Sequence, residues 1–232
     1  MQTQPAGTAA AVEPLRSAGP TVRPALVTTV ATALALGAAT VAGVLLWQPW
    51  TERDDFAYDA VEPVRDAAWA GSALDGFGFA VACGALSVLV CLVAAARGAR
   101  WAHAGAVLTT LGGMFFAAGI FAFGALGWYA TSTDALSAGA GAGLLTYVED
   151  HPERVAAPQL AGFLLTTVGL LLLATALGRA RAVPRWLPVA LAVLTVGQFA
   201  PVPSRGLDLI QVVLMAVLVA SAWYLRRAAL RP

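Results

Sequence analysis

The side chains in this sequence that could do chemistry are few, and their spacing fits no familiar reactive arrangement. Asp54, Asp55 and Asp59 supply the oxygen ligands a divalent cation prefers, but the glycine and twelfth-position Glu of an EF-hand loop are missing. His151 stands among Glu149, Asp150 and Glu153, where it reads as a solvated loop histidine rather than a metal ligand. Cys83 and Cys91 are eight residues apart, about 12 Å along a helix. That exceeds the roughly 7 Å a disulfide tolerates, and no C-x-x-C is present. They read as small apolar packing residues. No G-x-S-x-G turn, H-E-x-x-H helix or pair of carboxylates in an apolar stretch occurs. Gly139, Gly141 and Gly143 follow no strand and precede no Lys, so they make no phosphate loop. Ser87 and Ser221 are lone hydroxyls in apolar runs, expected to bond their own helix backbone. Catalysis is therefore disfavoured, and neither a metal nor a cofactor is expected.

The elements that hold these residues follow from composition. Of the 232 residues, 59% are apolar and 12% charged, more apolar than a soluble core of this size can hide. A soluble enzyme, a disordered chain and a disulfide scaffold are excluded. About 20 apolar helical residues cross a hydrocarbon core of about 30 Å, and six stretches reach or approach that length. They cover about 25–47, 76–96, 103–128, 158–178, 184–201 and 207–225, and none carries a mid-span charge. The third is long enough to tilt, and the fifth is short and ends at Pro201 and Pro203. The first follows a 24-residue polar tail and is longer than a signal-peptide core, so it is expected to be a retained span. The expected fold is all-α: a polytopic bundle of six spans over 25–227, with flexible tails at 1–24 and 228–232.

Arginine placement predicts orientation. All 14 basic residues are Arg, and ten of them fall in the tails and in the second and fourth connections, with Glu13 as the one acid there. Arg53, Arg65, Arg154 and Arg205 share the other side with the remaining 12 acids. Both termini are thus expected in the cytoplasm. Trp101, Trp186 and Trp223 fall at inner span ends and Trp47, Trp50 and Trp128 at outer ends, as interfacial aromatics do. On this map His103 and His151 lie on opposite sides, so they cannot ligate one haem iron together.

The outer connections are the long ones. In the first, 48–75, Ser72 and Asp75 have capping-box spacing ahead of the second span. In the second, 129–157, Thr133 or Asp134 is placed to cap a short surface helix, which the small-residue run Ala138 to Gly143 would weaken. Within the spans, Gly105, Thr109, Gly113 and Ala117 recur at four-residue intervals and predict a close-packing face. Gln159, Gln198 and Gln211 fall near the outer ends of spans four, five and six, with Arg205 and Asp208 close by. If those helices are neighbours, the amides form one polar patch, serving as interhelical hydrogen-bonding glue or as a ligand pocket. Mid-span ionisable residues are absent and the two groups of three spans show no repeat, which disfavours proton-driven transport.

The acidic loop leading into "ALDGFGFA" (73–80) and the inner "ARAVPRWLPVALAVL" (180–194) resemble a broad set of six-span bacterial membrane proteins, actinobacterial ones in particular. The resemblance implies a fold and a cytoplasmic-membrane location, and brings no activity or functional residue with it. The leading expectation is a non-catalytic membrane component acting through protein contacts, its partners being the lipid bilayer and another polypeptide or a second copy. Nucleic acid is excluded, since no basic aromatic platform exists. The alternative is a small-molecule or ion binder, or a transporter, using the glutamine patch.

Overall fold

The computed structural model describes residues 23–48, 57–94 and 97–231. Most of the N-terminal tail and Glu52, Arg53, Asp54 and Asp55 lie outside the described residues. Helix α1 (Pro24–Trp47) starts with Pro in its first turn, where a missing N–H costs nothing, and ends at Gln48 in the left-handed conformation. A short α2 (Tyr58–Val61) and a 3₁₀ turn (Glu62–Val64) lead into α3 (Arg65–Val93). Then follow α4 (Ala99–Thr131), α5 (Ala138–Asp150), α6 (Glu153–Ala180), α7 (Trp186–Gly197) and α8 (Ser204–Ala229). Five of these are long and apolar enough to cross a membrane, and α7 is a shorter apolar helix. Leu36, Phe77, Met114, Leu164, Val193 and Val213 project outward from six different helices. A surface that apolar on every side suits lipid rather than water.

Three boundaries differ from the sequence reading. The second span was expected to begin near 76 behind a capping box. Instead α3 is continuous from Arg65, so Ser72 and Asp75 are interior helix residues. The stretch RDAAWAGSALD holds no breaker strong enough to end a helix, and Ser72 is held against Gly124 of α4. The cap of α5 is Ser137, whose hydroxyl accepts from the Ala140 N–H at 3.4 Å, rather than Thr133 or Asp134. The small-residue run is part of that helix, because Gly141 lies directly on the Ala130 carbonyl, where any Cβ would collide. Finally, α7 is 12 residues long, about 18 Å, and its chain turns at 198–203 well short of a full crossing.

Helix contacts form a ring in which α1, α3, α4, α6, α7 and α8 each pack on the next and α8 closes on α1. Neighbours run antiparallel. Arg226 Nε donates to Thr28 Oγ1 (3.3 Å) at one end of the α1–α8 pair, and Gln48 Nε2 donates to Asp208 Oδ2 (3.4 Å) at the other. The first end gathers Arg23, Arg97, Arg100, Arg179, Arg181, Arg185, Arg226, Arg227 and Arg231, with no acid among the described residues there. The opposite end holds Asp59, Glu62, Asp66, Asp75, Asp134, Glu149, Asp150, Glu153 and Asp208 against Arg65, Arg154 and Arg205. The tight core lies in the basic half and the middle, around Leu34, Leu86, Leu89, Leu173, Leu187 and Met215.

The closest helix pair is α4 with α6. Gly98, the N-cap of α4, and Gly105, Gly112 and Gly119 within the helix, spaced by seven, line the seam. A methyl group on Gly112 would lie 2.7 Å from the Gly162 carbonyl oxygen, and one on Gly162 would lie 2.6 Å from the Gly112 carbonyl oxygen. The same octet, G-x-x-L-T-T-x-G, occupies 105–112 and 162–169, so two antiparallel copies meet glycine to glycine. The sequence reading found no repeat between halves of the chain; this one is shorter than a span and serves one pair of helices. Thr109 and Thr166 have buried hydroxyls with no hydrogen-bond partner among the described residues, set against Gly169 and Gly112 of the facing helix.

Candidate functional site

At the acidic end the bundle is hollow. A cavity of about 750 Å³, partly open to the surface, lies among α3, α4, α5, α6 and α8. It lies where α3 and α6 touch little. Each helix contributes one face. From α3 come Arg65, Ala68, Ser72 and Asp75, spaced by three and four residues so that they align on a single stripe. From α4 come Phe116, Ile120, Phe123 and Trp128, and from α6 Ala156, Gln159, Leu160 and Phe163. Val148 and Glu149 of α5 cover the outer edge, and Gln211 of α8 closes the side.

Asp75 is 7% exposed. Gly76 lies against Ala117 and Gln159 against Gly119, so Asp75 and Gln159 stand at nearly the same height in the bundle. Arg65 is held at the rim by donating from Nη1 to the Thr131 carbonyl at 2.7 Å. Beside it, Trp128 Nε1 donates to Asp66 Oδ1 at 2.7 Å, which ties α3 to α4 above the cavity. The walls are mostly aromatic and aliphatic, with a few polar groups converging from different helices. That combination characterises small-molecule pockets, which commonly have volumes of roughly 300–1,000 Å³.

Below it lies a second, smaller cavity of about 20 Å³, lined by Gln198 and Gln211 with Phe79, Phe163, Thr167 and Met215 among others. Gln211 and Phe163 border both spaces. The three glutamines therefore do not form one patch. Gln159 and Gln211 share the large cavity, Gln198 and Gln211 the small one, and Gln211 joins them. None of the three amides has a hydrogen-bond partner among the described residues. Asp208 turns away to Gln48 on α1, and Arg205 is exposed. Ser72, Asp75 and the phenylalanines are the site residues the sequence reading missed. The available signal was the stripe from Arg65 to Asp75, legible only if the acidic connection is read as helix.

The proposed packing face of α4 divides between two neighbours. Gly105 and Thr109 lie against α6 at Gly169, whereas Gly113 meets Cys83 and Ala117 meets Gly76, both on α3. Ser87 Oγ donates to the Cys83 carbonyl of its own helix at 2.7 Å and also accepts from Thr110 Oγ1 of α4 at 3.2 Å. Ser221 Oγ donates to Val217 at 2.7 Å. His103 is at the basic end, while His151 stacks on Tyr147 at the acidic end with ring centroids 4.4 Å apart. No group of three His, Cys, Asp or Glu residues placed to hold a metal ion occurs among the described residues. Comparison with family models, curated proteins and solved structures gives no match.

Proposed function

We propose that this protein is a six-pass component of a bacterial cytoplasmic membrane, with both termini inside, that binds an amphiphilic small molecule in the cavity at its acidic end. The cavity itself carries the reading. It is of ligand size, its wall is largely apolar, and its polar groups come from four helices, as orientation of a single bound molecule requires. Binding through this space is favoured over a role confined to protein contacts, which would not need a hollow bundle. The packed leucines of the basic half close the far side, so the arrangement supports capture from the outer face rather than an open channel.

The test is native mass spectrometry of the protein released gently from nanodiscs. Wild-type protein is expected to carry one small molecule. Ala156→Phe, which places a ring into the cavity, is expected to lose that mass while keeping the wild-type helical melt. A bare wild-type chain, or the same mass retained by Ala156→Phe, would sink the reading.

A further inference from the structure

The small inner cavity narrows the chemistry of the bound molecule, an inference that rests on the cavity-binding reading above. Its volume of about 20 Å³ admits one water-sized group. No charged side chain lines it; Asp75, Glu149 and Arg65 all belong to the large cavity. Its polar lining residues are Thr166, Thr167, Gln198 and Gln211, all neutral, and the two amides each present donor hydrogens and an acceptor oxygen with no partner among the described residues. An ammonium or carboxylate placed there would lose its water and meet no counter-charge. A hydroxyl both donates and accepts, fits the volume, and answers both amides at once.

We infer that the inner end of the bound amphiphile carries a single neutral hydroxyl group, held between Gln198 and Gln211, with its apolar body lying against Phe116, Phe123 and Phe163. The ligand class is a long-chain or polycyclic alcohol rather than a lipid whose inserted end is charged.

The experiment presents nanodisc-embedded protein with equimolar 1-dodecanol, dodecylammonium and dodecanoate and counts adducts by native mass spectrometry. Dodecanol is expected to give a one-to-one adduct at about tenfold higher occupancy than either charged probe. Gln211→Leu and Gln198→Leu are each expected to lower it about tenfold, in keeping with the loss of hydrogen bonding to a buried hydroxyl. Thr175→Val, on an exposed part of α6, is expected to leave it unchanged. Preference for a charged probe, or dodecanol retained by both glutamine variants, would overturn the inference. If Ala156→Phe removes every adduct while the glutamine variants keep dodecanol, the cavity reading survives and the hydroxyl assignment falls. If wild type takes up none of the probes, both fall together.

Discussion

Gly162→Leu is expected to lower the melting temperature of the nanodisc-embedded protein by about 10 °C or more. The reason is geometric. Even a methyl group at 162 would lie 2.6 Å from the Gly112 carbonyl oxygen and 2.8 Å from the Phe115 carbonyl carbon. Both are backbone atoms of a long helix and cannot swing aside as a flexible side chain would. In lipid, burial against a neighbouring helix gives no hydrophobic gain over burial against acyl chains, so association depends on close contact and is lost as the helices are forced apart. Overpacking costs roughly 1–3 kcal/mol and sometimes more. At about 2–4 °C per kcal/mol for a chain of this size, the upper part of that range gives the stated shift. Gly178→Leu, also on α6, and Gly43→Leu on α1 are the controls, since nothing lies within 4 Å of a Cβ at either position. They are expected to melt within a few degrees of wild type. Equal losses at 162 and 178 would mean that the α4–α6 contact does not set the effect, since Gly→Leu gains helix propensity at both positions.

That seam also marks where the sequence was legible and where it was not. The ends of α1 and α8 could be read because apolar length, Pro24 and the terminal arginines are properties of one helix. The face of α4 could not. Four-residue steps advance about 400°, 40° beyond a full turn, so from Gly105 to Ala117 the stripe rotates by about 120°. It therefore passes from the α6 side to the α3 side, while the seven-residue spacing from Gly98 to Gly119 stays on α6. Which spacing matters depends on how many neighbours a helix has, and that is a property of the assembled bundle. The glutamines illustrate the same limit. Their place near the outer span ends was readable from span length, but their division between two cavities depends on how α6, α7 and α8 assemble, with Phe163 and Gln211 bordering both spaces. Asp75 was misread because a capping box and an interior helix turn share the same three-residue spacing, and only the continuity of α3 from Arg65 separates them.

The second large effect is all-or-none. In a Cys83→Ala, Cys91→Ala background, Thr133→Cys is expected to react with a membrane-impermeant maleimide on intact bacterial cells. Leu230→Cys is expected to react only after the cells are opened. Both positions are exposed and at opposite ends of the bundle, Thr133 beyond α4 at the acidic end and Leu230 beyond α8 among the arginines. Neither change alters a charge, so the signal that directs insertion is left intact. That signal is arginine: among the described residues the basic end carries no acid to offset it, whereas the three arginines of the other end lie among nine carboxylates. Acidic residues contribute little to orientation, so the decisive comparison is of Arg near the helix ends, and it favours the end where α1 begins and α8 finishes. The reverse labelling pattern would turn the cavity toward the cytoplasm and make the ligand an intracellular molecule. Labelling of both positions on intact cells would indicate two insertion modes, in which case charge segregation would have to be assigned to solubility or partner contacts. The expected pattern places the cavity mouth, with Arg65, Glu149 and the α5 cover, on the outer face, where a molecule could enter without crossing the leucine core.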